Sequence, residues 1–157
     1  MKIPLEVDEK IETPKDQKPS LEIRINLIGS MLFPRIGLRP IKFIVDTGSP
    51  RTFISTTDAI KFGLENYIKE DSLKDSVRMG ETEIILGHIE NTVIYFKDEN
   101  SKLCTLKIPE LCVAKTKIMI DPTKIMRLPS ILGMDFLKEF DFNLHYLRAP
   151  NIAYLDK

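Results

Sequence analysis

Tryptophan is absent from this 157-residue chain, cysteine and histidine occur twice each, and glycine occurs seven times. The scarcity of soft ligands excludes a metal centre of the usual kind. Cys104 and Cys112 have the wrong spacing for a shared ion, and no histidine lies close to them in sequence. The sequence leaves open whether these two cysteines face each other across a hairpin as a disulfide, a bond uncommon inside cells. His88 and His145 stand alone, and no Gly-x-Ser-x-Gly is present to supply a nucleophile on a sharp elbow, which argues against a Ser/His/Asp hydrolase. Charge of one sign is missing too. Lys and Arg number 23 and so do Asp and Glu, so there is no basic excess to attract nucleic acid. No apolar run approaches the ~20 residues that span a bilayer. The opening stretch "MKIPLEVDEKIETPKDQKPS" has no apolar core of signal-peptide type, so the expectation is a cytoplasmic protein without a membrane partner.

What is present is an ordinary globular composition, 43% hydrophobic and 29% charged, in a length that suits one domain. Residues 1–19 carry Pro4, Pro14 and Pro19 among alternating charges and read as a flexible tail, leaving 20–157 as the domain. From Leu21 apolar and polar residues alternate as in a half-buried strand. The turn "FPRIGLRP" and the apolar stretch 41–45 then make 21–45 a hairpin. "TFIS" is short and β-prone, and "TTDAIKFG" has a threonine cap and a stop at Gly63, as a two-turn helix would. Residues 65–75 are polar and irregular. Val77 to Ala114 shows strand patterns broken by turn residues, two or three hairpins in all. "KTKIMIDPTKIMR" is ambiguous between strand and loop. Ile131 and Leu132 read as a short buried strand, "MDFLKEF" as a helix, and "FNLHYL" with "IAYL" as a closing hairpin. The pattern is all-β with one or two short helices.

One stretch carries chemistry. "IKFIVDTGSP" ends a buried strand in a carboxylate, a hydroxyl and a glycine, and a charge in that place is costly unless it is paired or used. Taken alone, Asp46 has an ordinary reading as a turn aspartate binding local N–H groups. Together, apolar residues leading into Asp46-Thr47-Gly48-Ser49 and the later "ILGMDFL" resemble the retropepsin-like aspartic proteases over Leu21 to Leu155.

The resemblance implies a small closed β-barrel and a homodimer, because the chain has one Asp-Thr-Gly triplet where the reaction needs two carboxylates. It implies Asp46 as the catalytic group, with Thr47 bonding across to the partner loop. Gly48 would bring its N–H to the carboxylate through a tight turn, and Ser49 would donate to the outer carboxylate oxygen. Ile131, Leu132 and Gly133 would support the loop from beneath. A flap would cover a peptide or unfolded-protein substrate, best placed in "SVRMGETEIILG" with Met79, Gly80 and Glu81 at its tip. No metal or other cofactor is implied.

Two departures stand out. Retroviral members usually pair an Arg after the second glycine with an acid after the triplet, whereas this chain has Met134 and Pro50-Arg51 there. Residues 65–75 and 115–128 also exceed what a minimal retroviral enzyme needs. Both point to a cellular, prokaryotic or archaeal branch. The competing expectation is a non-catalytic dimerisation or peptide-binding module on the same fold.

Overall fold

The computed structural model of the chain describes residues 1–12, 18–69, 76–79, 82–116 and 128–157. It departs from the sequence reading first at the N-terminus. Lys2–Glu12 is not a tail but a strand, β1. Lys2 to Leu5 pair antiparallel with Ala153 to Asp156, and Glu6 to Glu12 pair with Ser20 to Asn26. Ile3, Leu5 and Val7 recur at period two, and Ile3 is fully buried. Pro4 does not interrupt this, because a strand tolerates proline wherever the ladder does not need its N–H.

β2 (Ser20–Phe33) and β3 (Gly37–Val45) form the hairpin expected over 21–45. β4 (Phe53–Ile54), helix α1 (Thr56–Phe62) and a 3-10 turn at Glu65–Tyr67 follow. The cap of α1 is Ser55, one residue before the expected threonine. Its side chain accepts the Asp58 N–H at 3.1 Å, and Gly63 closes the helix in the left-handed region at φ 74°. β5 (Ser76–Met79), β6 (Thr82–Lys97) and β7 (Leu103–Thr116) make two successive hairpins. Then come β8 (Ser130–Leu132), α2 (Met134–Glu139), β9 (Asn143–Leu147) and β10 (Ile152–Asp156). Most of the ambiguous stretch 115–127, and residues 70–75, lie outside the described residues. Cys104 and Cys112 are both on β7 and neither is in a disulfide, so they do not face each other across a hairpin.

Neighbouring strands run β5-β6-β7-β4-β8-β3-β2-β1-β10-β9, and β2 also pairs with β6. That extra pairing, Ser30 to Leu32 against Val93 to Tyr95, closes β2, β6, β7, β4, β8 and β3 into a ring. Gly29 permits the closure, since a Cβ there would lie 2.5 Å from the Tyr95 carbonyl oxygen. β4 and β8 are buried on both faces. Phe53 and Ile131 enter one cluster with Ile84 and Leu86, while Ile54 and Leu132 enter a larger one with Phe33, Phe43 and Phe136. Double burial explains the consecutive apolar pairs Phe53-Ile54 and Ile131-Leu132, where a half-buried strand would alternate.

Candidate active site

β3 and β8 run parallel and in register, Phe43, Ile44 and Val45 opposite Ser130, Ile131 and Leu132. On its other side β8 meets β4 antiparallel, Phe53 opposite Ile131. The two parallel strands therefore end at the same level, one delivering Asp46 and the other Gly133. The Asp46 N–H donates to the Leu132 carbonyl at 3.0 Å, the last rung between them. Asp46 is half-buried, Thr47 and Gly48 are exposed, and Ser49 is buried.

The loop is folded on its own carboxylate. The Gly48 N–H donates to Asp46 Oδ1 at 2.8 Å and the Ser49 N–H to the Asp46 carbonyl at 3.1 Å. Gly48 is not in the left-handed region, so the tight-turn reason does not apply. Close approach does: a Cβ there would lie 3.1 Å from Asp46 Oδ1. Ser49 differs from expectation, because its Oγ donates to the Arg51 carbonyl at 2.8 Å and not to Asp46. A hydroxyl has one proton to give.

Gly133 sits where the two motifs touch. A Cβ on it would meet the Arg51 carbonyl oxygen at 2.5 Å and the Ser49 carbonyl oxygen at 2.9 Å. The adjoining Met134 N–H donates to the Ser49 carbonyl at 2.9 Å. Two residues that the sequence reading missed complete the junction. The Asp135 carboxylate accepts the Thr52 N–H at 3.0 Å and the Thr52 hydroxyl at 2.7 Å, and Thr52 Oγ1 accepts the Gly133 N–H at 2.8 Å. These bonds join the two motifs where an Arg–carboxylate pair was noted as missing. The one sequence signal was an acid just after Gly133-Met134, which resembles the routine acidic first turn of a helix.

Further out, Ser130 Oγ accepts the Ser55 N–H at 3.0 Å and donates to Asp58 Oδ2 at 2.6 Å, tying α1 to β8. In the flap candidate, β5 and β6 pair as far as Met79 opposite Thr82. Gly80 and Glu81, between them, and the Met79 side chain lie outside the described residues. The histidines are engaged elsewhere. His145, half-buried on β9, lies 3.0 Å from Asp156 Oδ1 and stacks on Tyr154 with centroids 4.7 Å apart. His88 is buried on β6, 3.9 Å from Glu90 Oε1. Among the described residues no group of three or more His, Cys, Asp or Glu side chains could hold a metal ion. No helix among them is long and apolar enough to cross a membrane.

The model of one protein family, "gag-polyprotein putative aspartyl protease", matches residues 34–139, more than half of the chain and the whole of the junction just described. The chain belongs to that family. Its fold is that of the retropepsin-like aspartic proteases. Two crystal structures are similar to it. One is a retropepsin-like aspartic protease from Rickettsia conorii, at 18% identity over 95% of this chain and 99% of that one, with a TM-score of 0.46. The other is the retroviral protease-like domain of Ddi1 from Leishmania major, at 18% identity over 83% of this chain and 94% of that one, with a TM-score of 0.44. No curated protein matches the sequence.

Proposed function

We propose that this family member is an aspartic endopeptidase whose active site forms when two copies bring their Asp46 loops together. The observation that carries the reading is the half-exposed Asp46 at the level where β3 and β8 end, with its carboxylate turned by the Gly48 N–H and the exposed Thr47 beside it. One chain has one Asp-Thr-Gly triplet, and a second carboxylate has to come from a second chain.

Two carboxylates a few Å apart do not both ionise cheaply, so the pair holds one proton between them and titrates as a unit. The ionised member takes a proton from a water between the two. That water attacks the peptide carbonyl, while the protonated member polarises the carbonyl and later helps protonate the leaving amine. Thr47 bonds across to the partner loop and fixes the spacing. Gly133, Ile131 and Leu132 hold the loop from beneath. The substrate is a peptide or unfolded protein segment laid down as an extra strand.

Asp46→Asn tests this. Asn keeps the shape of the loop and most of its hydrogen bonds but loses the group that takes the proton. Cleavage of a denatured protein should drop by at least about 10²-fold, with the melting curve close to wild type. A variant that still cuts at near the wild-type rate would sink the proposal, and a wild-type chain that binds peptide without cleaving it would favour a binding module.

A further inference from the structure

We infer that Asp135 is a positioning residue for Asp46, acting through Thr52; the kinetic consequence rests on the protease reading, the positioning itself does not. The Asp135 carboxylate takes three donors: the Thr52 N–H on Oδ2 at 3.0 Å, and on Oδ1 the Thr52 hydroxyl and the Phe136 N–H, each at 2.7 Å. A hydroxyl whose proton is committed to a carboxylate turns its lone pairs to other donors. Thr52 Oγ1 uses one for the Gly133 N–H at 2.8 Å. Thr52 is itself buried, so water does not readily substitute for either partner.

From Thr52 the constraint runs back along the loop. The Arg51 carbonyl is held by Ser49 Oγ and packed against Gly133. The Ser49 carbonyl is held by the Met134 N–H, and the Ser49 N–H is bonded to the Asp46 carbonyl. Shifting Thr52 therefore shifts the turn that carries Asp46. Two carboxylates that share a proton and a water tolerate little displacement, and a misplacement of about 1 Å can reduce a rate roughly 10²-fold.

The sharpest probe is Asp135→Asn, which conserves shape. The amide has one oxygen and an NH₂ that can only donate, yet Thr52 N–H, Thr52 O–H and Phe136 N–H all need an acceptor. Thr52→Val removes only the hydroxyl and carries the test if Asp135→Asn fails to fold; Thr52→Ser restores the hydroxyl. In steady-state peptide cleavage, Asp135→Asn and Thr52→Val should lower kcat by about ten- to a hundredfold with KM nearly unchanged, and Thr52→Ser should stay close to wild type. In ¹⁵N amide spectra, the Gly48 resonance, which reports the bond to Asp46 Oδ1, should move in the first two variants, while Ala153 and Leu155 in the terminal hairpin stay put. A lower Tm with kcat per folded enzyme unchanged and Gly48 unmoved would overturn the inference and leave Asp135 a structural residue. A wild-type chain that cleaves nothing would sink the protease reading, and the Gly48 resonance would still decide whether Asp135 positions Asp46.

Discussion

Gly133 shows how little freedom single residues have at this junction. Its missing side chain leaves room for the carbonyls of Ser49 and Arg51, and a Cβ would sit 2.5 Å from the second of these. Gly133→Ala should therefore destabilise the fold by about 1–3 kcal/mol, read as a lowered midpoint in denaturant titration. An unchanged midpoint would mean that the two motifs are not packed as described. Ser49→Ala should lower stability by about 0.5–1.5 kcal/mol, the usual worth of one hydrogen bond, and leave the acid limb of the pH–rate profile in place, because Ser49 Oγ donates to Arg51 and not to Asp46. An acid limb that moves would restore the direct link to the carboxylate. The Asp-Thr-Gly-Ser run was legible in the sequence because a buried strand led into it. The partner of Ser49 was not. Both acceptors, the Asp46 carboxylate and the Arg51 carbonyl, lie within two or three positions along the chain, and which is taken follows from how the loop packs on Gly133. Thr52 and Asp135 escaped for a similar reason, being far apart in sequence and each ordinary in its local setting.

Elements were legible wherever one face is buried or a cap is local, as in the β2–β3 hairpin, α1 and the β9–β10 hairpin. β1 was the exception. Its period-two signal, Ile3, Leu5 and Val7, was present but fell among charges beside Pro4, and its partners come from opposite ends of the sequence. Ile3→Asp puts an unpaired carboxylate in a fully buried position and should destabilise by more than about 3 kcal/mol; a stability within error of wild type would restore the tail. β1 is also fastened by charge. The Lys42 ammonium, 3.0 Å from Asp8 Oδ2, holds the Asp8 carboxyl below its usual range, helped by the Asn26 amide at 2.9 Å. A depressed carboxyl stabilises the fold above its unfolded pKa and loses that contribution as pH falls through the folded value. Asp8→Asn should therefore be less stable than wild type near neutrality, with the gap closing in acid as pH falls through the lowered folded value. Melting curves at neutral and acid pH measure it, and a gap that persists in acid would assign the loss to packing. Asp8 is exposed, so the effect is small.

At the scale of the molecule, the ring of six strands holds β3 and β8 side by side and presents one Asp46 at their common end. A closed barrel followed from the family resemblance, but the pairing that closes it did not, since β2–β6 depends on Gly29 passing close to Tyr95, a contact without a local signature. On the proposed reading the site is incomplete in one chain, because one triplet supplies one of the two carboxylates the reaction needs. That half-site is the central claim, and a mixing experiment tests it most directly. Wild-type and Asp46→Asn chains are unfolded together, refolded in varied ratio at constant total concentration, and assayed for peptide cleavage. If each active unit needs Asp46 from both chains, activity falls as the square of the wild-type fraction, to about a quarter in an equal mixture. Activity proportional to the wild-type fraction would mean that one chain carries a complete site, and would contradict the shared dyad.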